Sequence, residues 1–542
     1  MIASAPYRPW LVQKYGGTSV GKLLDAITDS IIPAYVKDYN LAVVCSARSA
    51  SKKAAGTTSL LLKALECAVS NEISMTACNQ VIETIKQEHL SASILLEHSD
   101  MSDEARHILQ TLRYKIQEET EALKRFLCAT WTIGEVSDRT QDKVLGVGEK
   151  LSCLVVAAAL SVKGRPAEVV NLENIVQAAD SRSVREQKAA YKQNPVTFLQ
   201  NLRDAVRTKV LACCAEGNVP IITGFFGSMP NSLINTVGRG YSDLCAALCA
   251  ISLDAEELQI WKEVDGIFTA DPTKVSTARV LPTVTSEEAA ELTYYGSEVI
   301  HTLTMSLLSE EGVSLRLKNV KNPSGAGTII YPTRKSPSSS PARSASSTNL
   351  EAQRLLLMAT NGYHGDKQAK RAPTAITAKE SITLINITSN GRLPPQAFLG
   401  QSIDILGRHQ VALDLTSSSH RSLSLALSSK TGAAELAEAV SEALPELEEF
   451  GTTTVMPKMS IISVVGHKMK NMVGIAAEIF TALAGARINI YLISQGASEI
   501  NISFVVRAQD TLLAMEVVHT KVMRIPGHAE KEMSFIRGPW LY

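Results

Sequence analysis

The chain has 542 residues, 45% of them apolar and 20% charged, with a formal net charge of +0. That length predicts two to four domains with sizeable cores, and the balanced charge excludes a global field that would draw in nucleic acid or an acidic membrane. No apolar run reads as long enough to span a bilayer, Met1 to Trp10 lacks the apolar core of a secretory signal, and the nine cysteines show no zinc-ligand spacing with histidine. A cytoplasmic protein with reduced core cysteines is expected.

Pro9 to Val12 reads as the start of a strand, and Leu23 to Ile32 has helical spacing of apolar residues. Between them stands Gln13-Lys14-Tyr15-Gly16-Gly17-Thr18-Ser19-Val20-Gly21. Glycine lets backbone approach a ligand, the free N–H groups of a helix start favour anions, and Lys14 adds a point charge. The stretch is built to handle phosphate. It has three readings: a plain glycine turn with Lys14 solvated, a P-loop ending at Lys22, or a phosphate site centred on Lys14. The P-loop reading fails at Leu23, where a hydroxyl is needed for magnesium.

Leu41 to Ser46 suits a buried parallel strand. Ala47 to Gly56 reads as a flexible basic loop with Arg48, Lys52 and Lys53, and Thr57-Thr58-Ser59 as the N-cap of a helix. Asn71 to Phe126 reads as a helical hairpin or cap. Gly146-Val147-Gly148-Glu149 is expected to open a helix from Lys150 to Leu160, where Glu149 either suits the helix dipole or faces a ligand. Further strands are read at Pro166 to Asn171, from Pro220, at Leu258 to Val264 and at Val313 to Lys318. Gly238-Arg239-Gly240-Tyr241-Ser242-Asp243 leads into an alanine-rich helix. Arg239 and Asp243, four apart, are either an ordinary helix pair or part of a site. The alternation of strand and helix predicts an α/β layered domain.

Composition changes at Tyr331, and Lys335 to Asn349 is Ser- and Pro-rich and cannot bury a core. Beyond it the order strand, helix, strand, strand, helix occurs twice. The first pass has strands at Ser381 to Thr388, Val411 to Leu415 and Ser422 to Leu427; the second has Met459 to Val465, Ile488 to Leu492 and Ile500 to Val505. Two ferredoxin-like βαββαβ units are predicted. Polar turns join their middle strands: Ser417-Ser418-Ser419 and Ser494-Gln495-Gly496.

The ordered set KYGGTSVG at Lys14, CSAR at Cys45, TTSLL at Thr57, VGE at Val147, GFFGS at Gly224 and GRGYSD at Gly238 continues with VDGIFTADP at Val264, YYGSEVIH at Tyr294, RLKN at Arg316 and NPSGAGT at Asn322. Together these motifs resemble the aspartate kinases of the amino-acid kinase family, most closely their fungal branch, and the two repeats resemble ACT domains. The resemblance implies a three-layer α/β/α kinase domain with a mostly parallel sheet over residues 1–330. A Ser/Pro-rich linker over 331–352 and ACT domains over 353–458 and 459–542 would follow.

It further implies transfer of the γ-phosphoryl group of ATP, with Mg²⁺, to the side-chain carboxylate of L-aspartate. Lys14 would stabilise the moving phosphoryl group, Asp243 would orient Lys14, and Arg239 would hold the substrate α-carboxylate. Glu149 would take the α-ammonium, with Ser46 and Thr58 lining the pocket. Gly16, Gly17, Thr18 and Ser19 with Lys262, Glu263, Phe268, Asp271 and Lys318 would hold the nucleotide. Three departures from the bacterial pattern stand out: Glu298 replaces a lysine, Thr273 a basic residue, and Thr302 a proline. They leave the second phosphate cation to Lys262 or Lys318. His301 is either a structural or an acid–base histidine. No dedicated protein metal site is expected.

The ACT resemblance implies a homo-oligomer and an amino-acid inhibitor, threonine, near Asn390, Asp414, Ser418 and Ser419 in the first repeat and Gln495 and Asn501 in the second. His420 stands where an acidic residue is common, which weighs against lysine. Two alternatives stay open: a kinase for another small acid or nucleotide, and an inactive amino-acid sensor.

Overall fold

The apolar runs of the N-terminal part pair as parallel strands. A computed structural model describes residues 8–49, 56–69, 75–215, 217–227, 232, 237–238, 240–295, 300–332, 372–429, 432–467, 469–495 and 500–524. Two units are separable. The first holds β1 (Trp10–Tyr15), β2 (Asn40–Cys45), β3 (Ala167–Val170), β4 (Val219–Thr223), β5 (Glu257–Lys262), β6 (Thr283–Thr285), β7 (Ser314–Asn319) and β8 (Thr328–Tyr331). They form one sheet in the order β3-β4-β2-β1-β5-β7-β8-β6, parallel except where β7 meets β8. Its central strands are buried on both faces, which explains their near-continuous apolar runs. Tyr15, Trp261 and Lys318 share one cross-strand row, and Lys14, Ile260 and Leu317 the next. Successive rows point to opposite faces.

The helix expected from Lys150 in fact runs over Asp138–Val162, capped by Ser137, so Glu149 lies mid-helix and not at its start. Two glycines are accepted inside it because neighbours press close. A Cβ at Gly146 would lie 2.7 Å from the Phe225 ring, and one at Gly148 3.0 Å from the Ala47 Cβ. Contrary to expectation, this helix is long and apolar enough to cross a membrane, but 72% of its apolar window is buried, and its side chains pack on Tyr15, Val43, Cys45 and Ile221. It is a core helix. On the other face the Tyr241–Ser252 helix lies against β1, β2 and β5.

The expected hairpin forms from Met75–Leu95 and Asp103–Ile133, and with Thr57–Cys67 it buries a separate apolar cluster. The N-cap of Thr57–Cys67 is Gly56; the Thr57 hydroxyl instead donates to the Arg48 carbonyl. Within the loop expected to be flexible, Arg48 is buried and donates to the carbonyls of Glu88 and Gly21. Lys52, Lys53 and most of the Ser/Pro-rich stretch lie outside the described residues.

In the second unit β9 (Ala375–Ser389), β10 (Ala412–Ser418), β11 (Ser422–Ser428), β12 (Gly451–Val465), β13 (Leu492–Ser494) and β14 (Asn501–Arg507) form a sheet in the order β10-β11-β9-β12-β14-β13. Both repeats are present, but not in tandem. β12 runs straight through the expected boundary at 458/459. Its first half pairs Leu384 to Ser389, and its second half, Ile461 to Val465, pairs Ala375 to Lys379. The second repeat therefore takes a strand that precedes the first repeat, and the first is nested within it. Both long strands bend where the ladder shifts, at Ser381 (φ 59°) and Lys458 (φ 58°). The two halves then face each other over Ile382, Leu384, Leu415, Ala426, Met459, Ile461, Leu492 and Val505.

The helices Pro395–Arg408 and Ala433–Glu448 cover the outer face of one half, and Ile475–Gly485 and Thr511–Lys521 that of the other. The strand expected at Ile488 to Leu492 begins only at Leu492. Ile488 instead closes the preceding helix, its N–H donating to the Leu483 carbonyl beside Arg487 at φ 58°.

Candidate active site

Lys14, the last residue but one of β1, is almost buried, with its ammonium 2.6 Å from Asp243 Oδ1. Asp243 stands in the first turn of the Tyr241–Ser252 helix, where the dipole favours a carboxylate. The partner holds a flexible cation in one place. Beyond Lys14 the chain turns at Gly16 into the short helix Gly17–Lys22. A Cβ on Gly16 would meet nothing within 4 Å, whereas one on Gly17 would lie 2.0 Å from the Ala47 carbonyl oxygen. Gly17 is thus required by the approach of the β2 end, while Gly16 faces open space. Ser19 is buried and donates to Glu263 Oε1 at 2.6 Å. Lys22 is exposed at the far end of the helix. Lys14, not Lys22, is the cation in the buried cluster.

Gly17→Ala is expected to destabilise the fold by about 1–3 kcal/mol, because the added methyl must push two backbone segments apart. Gly16→Ala should leave thermal unfolding near wild type. Equal melting temperatures for the two variants would remove the close-approach argument.

Glu149 is fully enclosed. Its Oε1 accepts from the Tyr241 hydroxyl and, at 3.4 Å, from the Ala47 N–H; its Oε2 has no partner. Burial pushes the Glu149 carboxyl up to about 7, and the Tyr241 hydroxyl, nearby backbone N–H groups and the Lys14 charge pull less strongly the other way. The Thr58 hydroxyl bonds that of Tyr241, and the Ser46 and Ser242 hydroxyls are 2.8 Å apart. The structure therefore brings together Lys14, Asp243, Glu149, Ser46 and Thr58, with the Gly16 to Ser19 turn and Glu263. Tyr241 went unassigned in the sequence reading. Its place between Gly240 and Ser242-Asp243, in the same motif as Asp243, is the signal the sequence carries for it. Arg239 and Glu298 lie outside the described residues.

The remaining expected residues differ in setting. Lys318 projects from the face opposite Lys14; its ammonium lies 5.0 Å from the Trp261 ring centroid and donates to the Tyr35 hydroxyl. The Lys262 carbonyl accepts from the Val320 N–H. Phe268 and Asp271 belong to the second unit. There Asp271 closes its own turn onto Thr273, and the adjacent Thr269 carbonyl accepts from the Ile376 N–H. His301 caps the Thr302–Glu311 helix, its Nδ1 accepting from the Leu303 N–H. Burial lowers its pKa, against the raising effect of Asp243. A neutral, capping histidine is what this geometry describes.

The expected effector residues are all in the second unit, in varied settings. Asn390 holds its own turn, donating to the Glu449 carbonyl and accepting from the Arg392 N–H. Asp414 has a side chain only 3% exposed; it receives the Lys379 ammonium at 2.6 Å and leaves Oδ2 without a partner. Ser418 is exposed at the end of β10, and Ser419 bonds Ser422 across the turn. Gln495 is exposed, and Asn501 donates to Glu291, whose carboxyl is raised by burial.

A mostly parallel sheet that ends in a glycine turn, with a buried lysine–aspartate pair and a half-satisfied carboxylate beside it, defines an enzyme that moves phosphoryl groups between small molecules. Residues 9–319 match the amino acid kinase family and residues 462–522 an ACT domain. The chain is 43% identical to an aspartokinase of Saccharomyces cerevisiae, over 95% of this chain and 93% of that protein. It is 41% identical to an aspartokinase of Candida albicans, over 96% and 91%. The solved structure of E. coli aspartokinase III in complex with aspartate and ADP matches at a TM-score of 0.64 and 22% identity, covering 95% of this chain and 99% of that one, a likeness of fold. The chain belongs to the amino acid kinase family and, within it, to the aspartokinases: an ATP-using phosphotransferase with a carboxyl group as acceptor.

Proposed function

We propose that the chain transfers the γ-phosphoryl group of ATP to the side-chain carboxylate of L-aspartate, giving 4-phospho-L-aspartate, the first step toward threonine, methionine and isoleucine. The carrying observation is the buried Lys14–Asp243 pair close enough to Glu149 for Lys14 to act on its charge. Attacker, donor and leaving group are all anionic, so catalysis is positioning and charge neutralisation, and no proton need be removed. Lys14 meets the charge of the transferring group. Glu149 Oε2 takes the α-ammonium, Arg239 forks onto the α-carboxylate, and Ser46 and Thr58 line the side-chain pocket. The Gly16 to Ser19 turn, Glu263 and Lys262 face the nucleotide.

Among the described residues no group of three or more His, Cys, Asp or Glu could hold a metal. Magnesium would come with the nucleotide, bound by phosphate oxygens and one or two carboxylates. Glu263 beside the glycine turn is the residue suited to it, and the ion would offset phosphate charge.

We further propose a cytoplasmic homo-oligomer assembled through the ACT repeats and inhibited by threonine. E. coli aspartokinase III has been solved with lysine and aspartate in a T-state. In this chain His420 and Arg421 occupy the turn beside Ser418 and Ser419, a poor setting for a second ammonium. Coupling of this kind is usually worth about 1–3 kcal/mol. Activity with ATP and aspartate, titrated with threonine, lysine and methionine, is expected to fall with threonine. Ser418→Phe should raise the threonine concentration for half-inhibition at least about tenfold. Inhibition by lysine alone, or by none of the three, overturns the effector assignment.

A further inference from the structure

We infer that Tyr241 is a positioning residue for the substrate amino group: its hydroxyl fixes the Glu149 carboxylate so that Oε2 alone is left to accept an ammonium. The inference rests on the ammonium role proposed above for Glu149. Tyr241 is buried at the first position of its helix, and its hydroxyl sits between two groups of known direction. The Thr58 hydroxyl donates to it, and it donates to Glu149 Oε1. The ring is boxed edge-on by Phe225, with centroids 6.5 Å apart at 90°. Phe225 in turn presses on Gly146, one turn before Glu149 on the same helix. Aromatic and carboxylate are thus held by one packed corner, and Oε2 is the buried atom left without a partner. An unpaired buried carboxylate oxygen is costly, so its persistence points to a ligand that satisfies it.

Hydrogen-bond donation to a carboxylate favours its ionised form. Burial works against that form at Glu149. The ionisable groups around it are Lys14 from β1, Tyr241 from its helix, and the thiols of Cys153 and Cys245, with Asp243 behind Lys14. Of these, only Tyr241 and Lys14 help to keep Glu149 charged.

Tyr241→Phe keeps the ring and removes only the donor. With the full chain, we expect the aspartate KM to rise about tenfold and the ATP KM to stay within about twofold. The acid limb of kcat/KM for aspartate should move up by about one pH unit. With succinate as acceptor, which has no amino group, wild type and Tyr241→Phe should be equal. Glu149→Gln, measured alongside, separates the two claims. If Glu149→Gln raises the aspartate KM but Tyr241→Phe changes neither KM nor the pH limb, Tyr241 only packs, and the inference is overturned. If Glu149→Gln leaves the aspartate KM unchanged, the ammonium assignment itself falls and takes the inference with it.

Discussion

Lys14→Ala is expected to lower kcat about a thousandfold or more, while Lys22→Ala stays within about twofold of wild type. Phosphoryl transfer between two anions depends on fixed positive charge, and one such charge on the transferring group is worth about 10³–10⁵ in rate where it has been isolated. The Lys14 ammonium is nearly buried and held at 2.6 Å by Asp243, so it needs no reorganisation to act; Lys22 is exposed. Removing Lys14 also strands Asp243, and breaking a buried pair costs about 3–5 kcal/mol. Rates must therefore be taken on protein shown to be folded. The double variant Lys14→Ala with Asp243→Ala removes the stranded charge and should recover stability without recovering turnover. Asp243→Asn, which leaves the cation but loosens its hold, should cost less in kcat than Lys14→Ala. The opposite pattern, with Lys22→Ala inactive and Lys14→Ala active, would sink the assignment.

The part of the site that was legible lies where chemistry is written in a contiguous motif. Lys14, Gly16, Gly17 and Ser19 sit together in sequence and in space because one strand end and one turn carry them. Asp243, more than two hundred residues on, is tied to Lys14 in the sequence only through the resemblance of GRGYSD to the family's motif. Lys318 was misjudged because the face a strand residue takes is set by register across β1, β5 and β7, which no local pattern encodes. Arg48 lies in a stretch that reads as a flexible basic loop, yet two backbone carbonyls hold it inside. Glu149 reads from sequence as a candidate at a helix start, since Gly146 and Gly148 suggest a break, but it lies mid-helix. The contacts of Phe225 and Ala47 that make glycine necessary there are visible only in three dimensions. The nesting of the repeats was hidden for the same reason: the pairing of Ala375 to Lys379 with Ile461 to Val465 skips the whole first repeat.

Glu149→Gln is expected to raise the aspartate KM about a hundredfold and to change the pH dependence of stability and of binding in opposite senses. The Glu149 carboxyl is raised to about 7 by burial, while an unfolded glutamate titrates near its ordinary value of 4.5. Between those values the folded chain holds the proton that the unfolded chain has lost. The carboxyl therefore favours folding fully below about 4.5, and this contribution is lost as pH rises through about 7. At about 1.36 kcal/mol per pKa unit the effect is on the order of 3 kcal/mol. Ligand-free wild type should gain stability from this group as pH is lowered from 8 toward 5.5. Glu149→Gln, which has no charge to bury, should melt higher than wild type at pH 8 and lack that slope.

Aspartate binding needs the ionised carboxylate, so its KM should rise in wild type as pH falls below about 7 and should not do so in Glu149→Gln. Binding near pH 6.5 should also expel a proton, readable by calorimetry in buffers of different ionisation heat. A carboxylate that only packed the helix against its neighbours would change stability alone. Glu149→Gln with an unchanged aspartate KM, or with a melting temperature at pH 8 below that of wild type, would contradict a buried anion kept for a substrate ammonium.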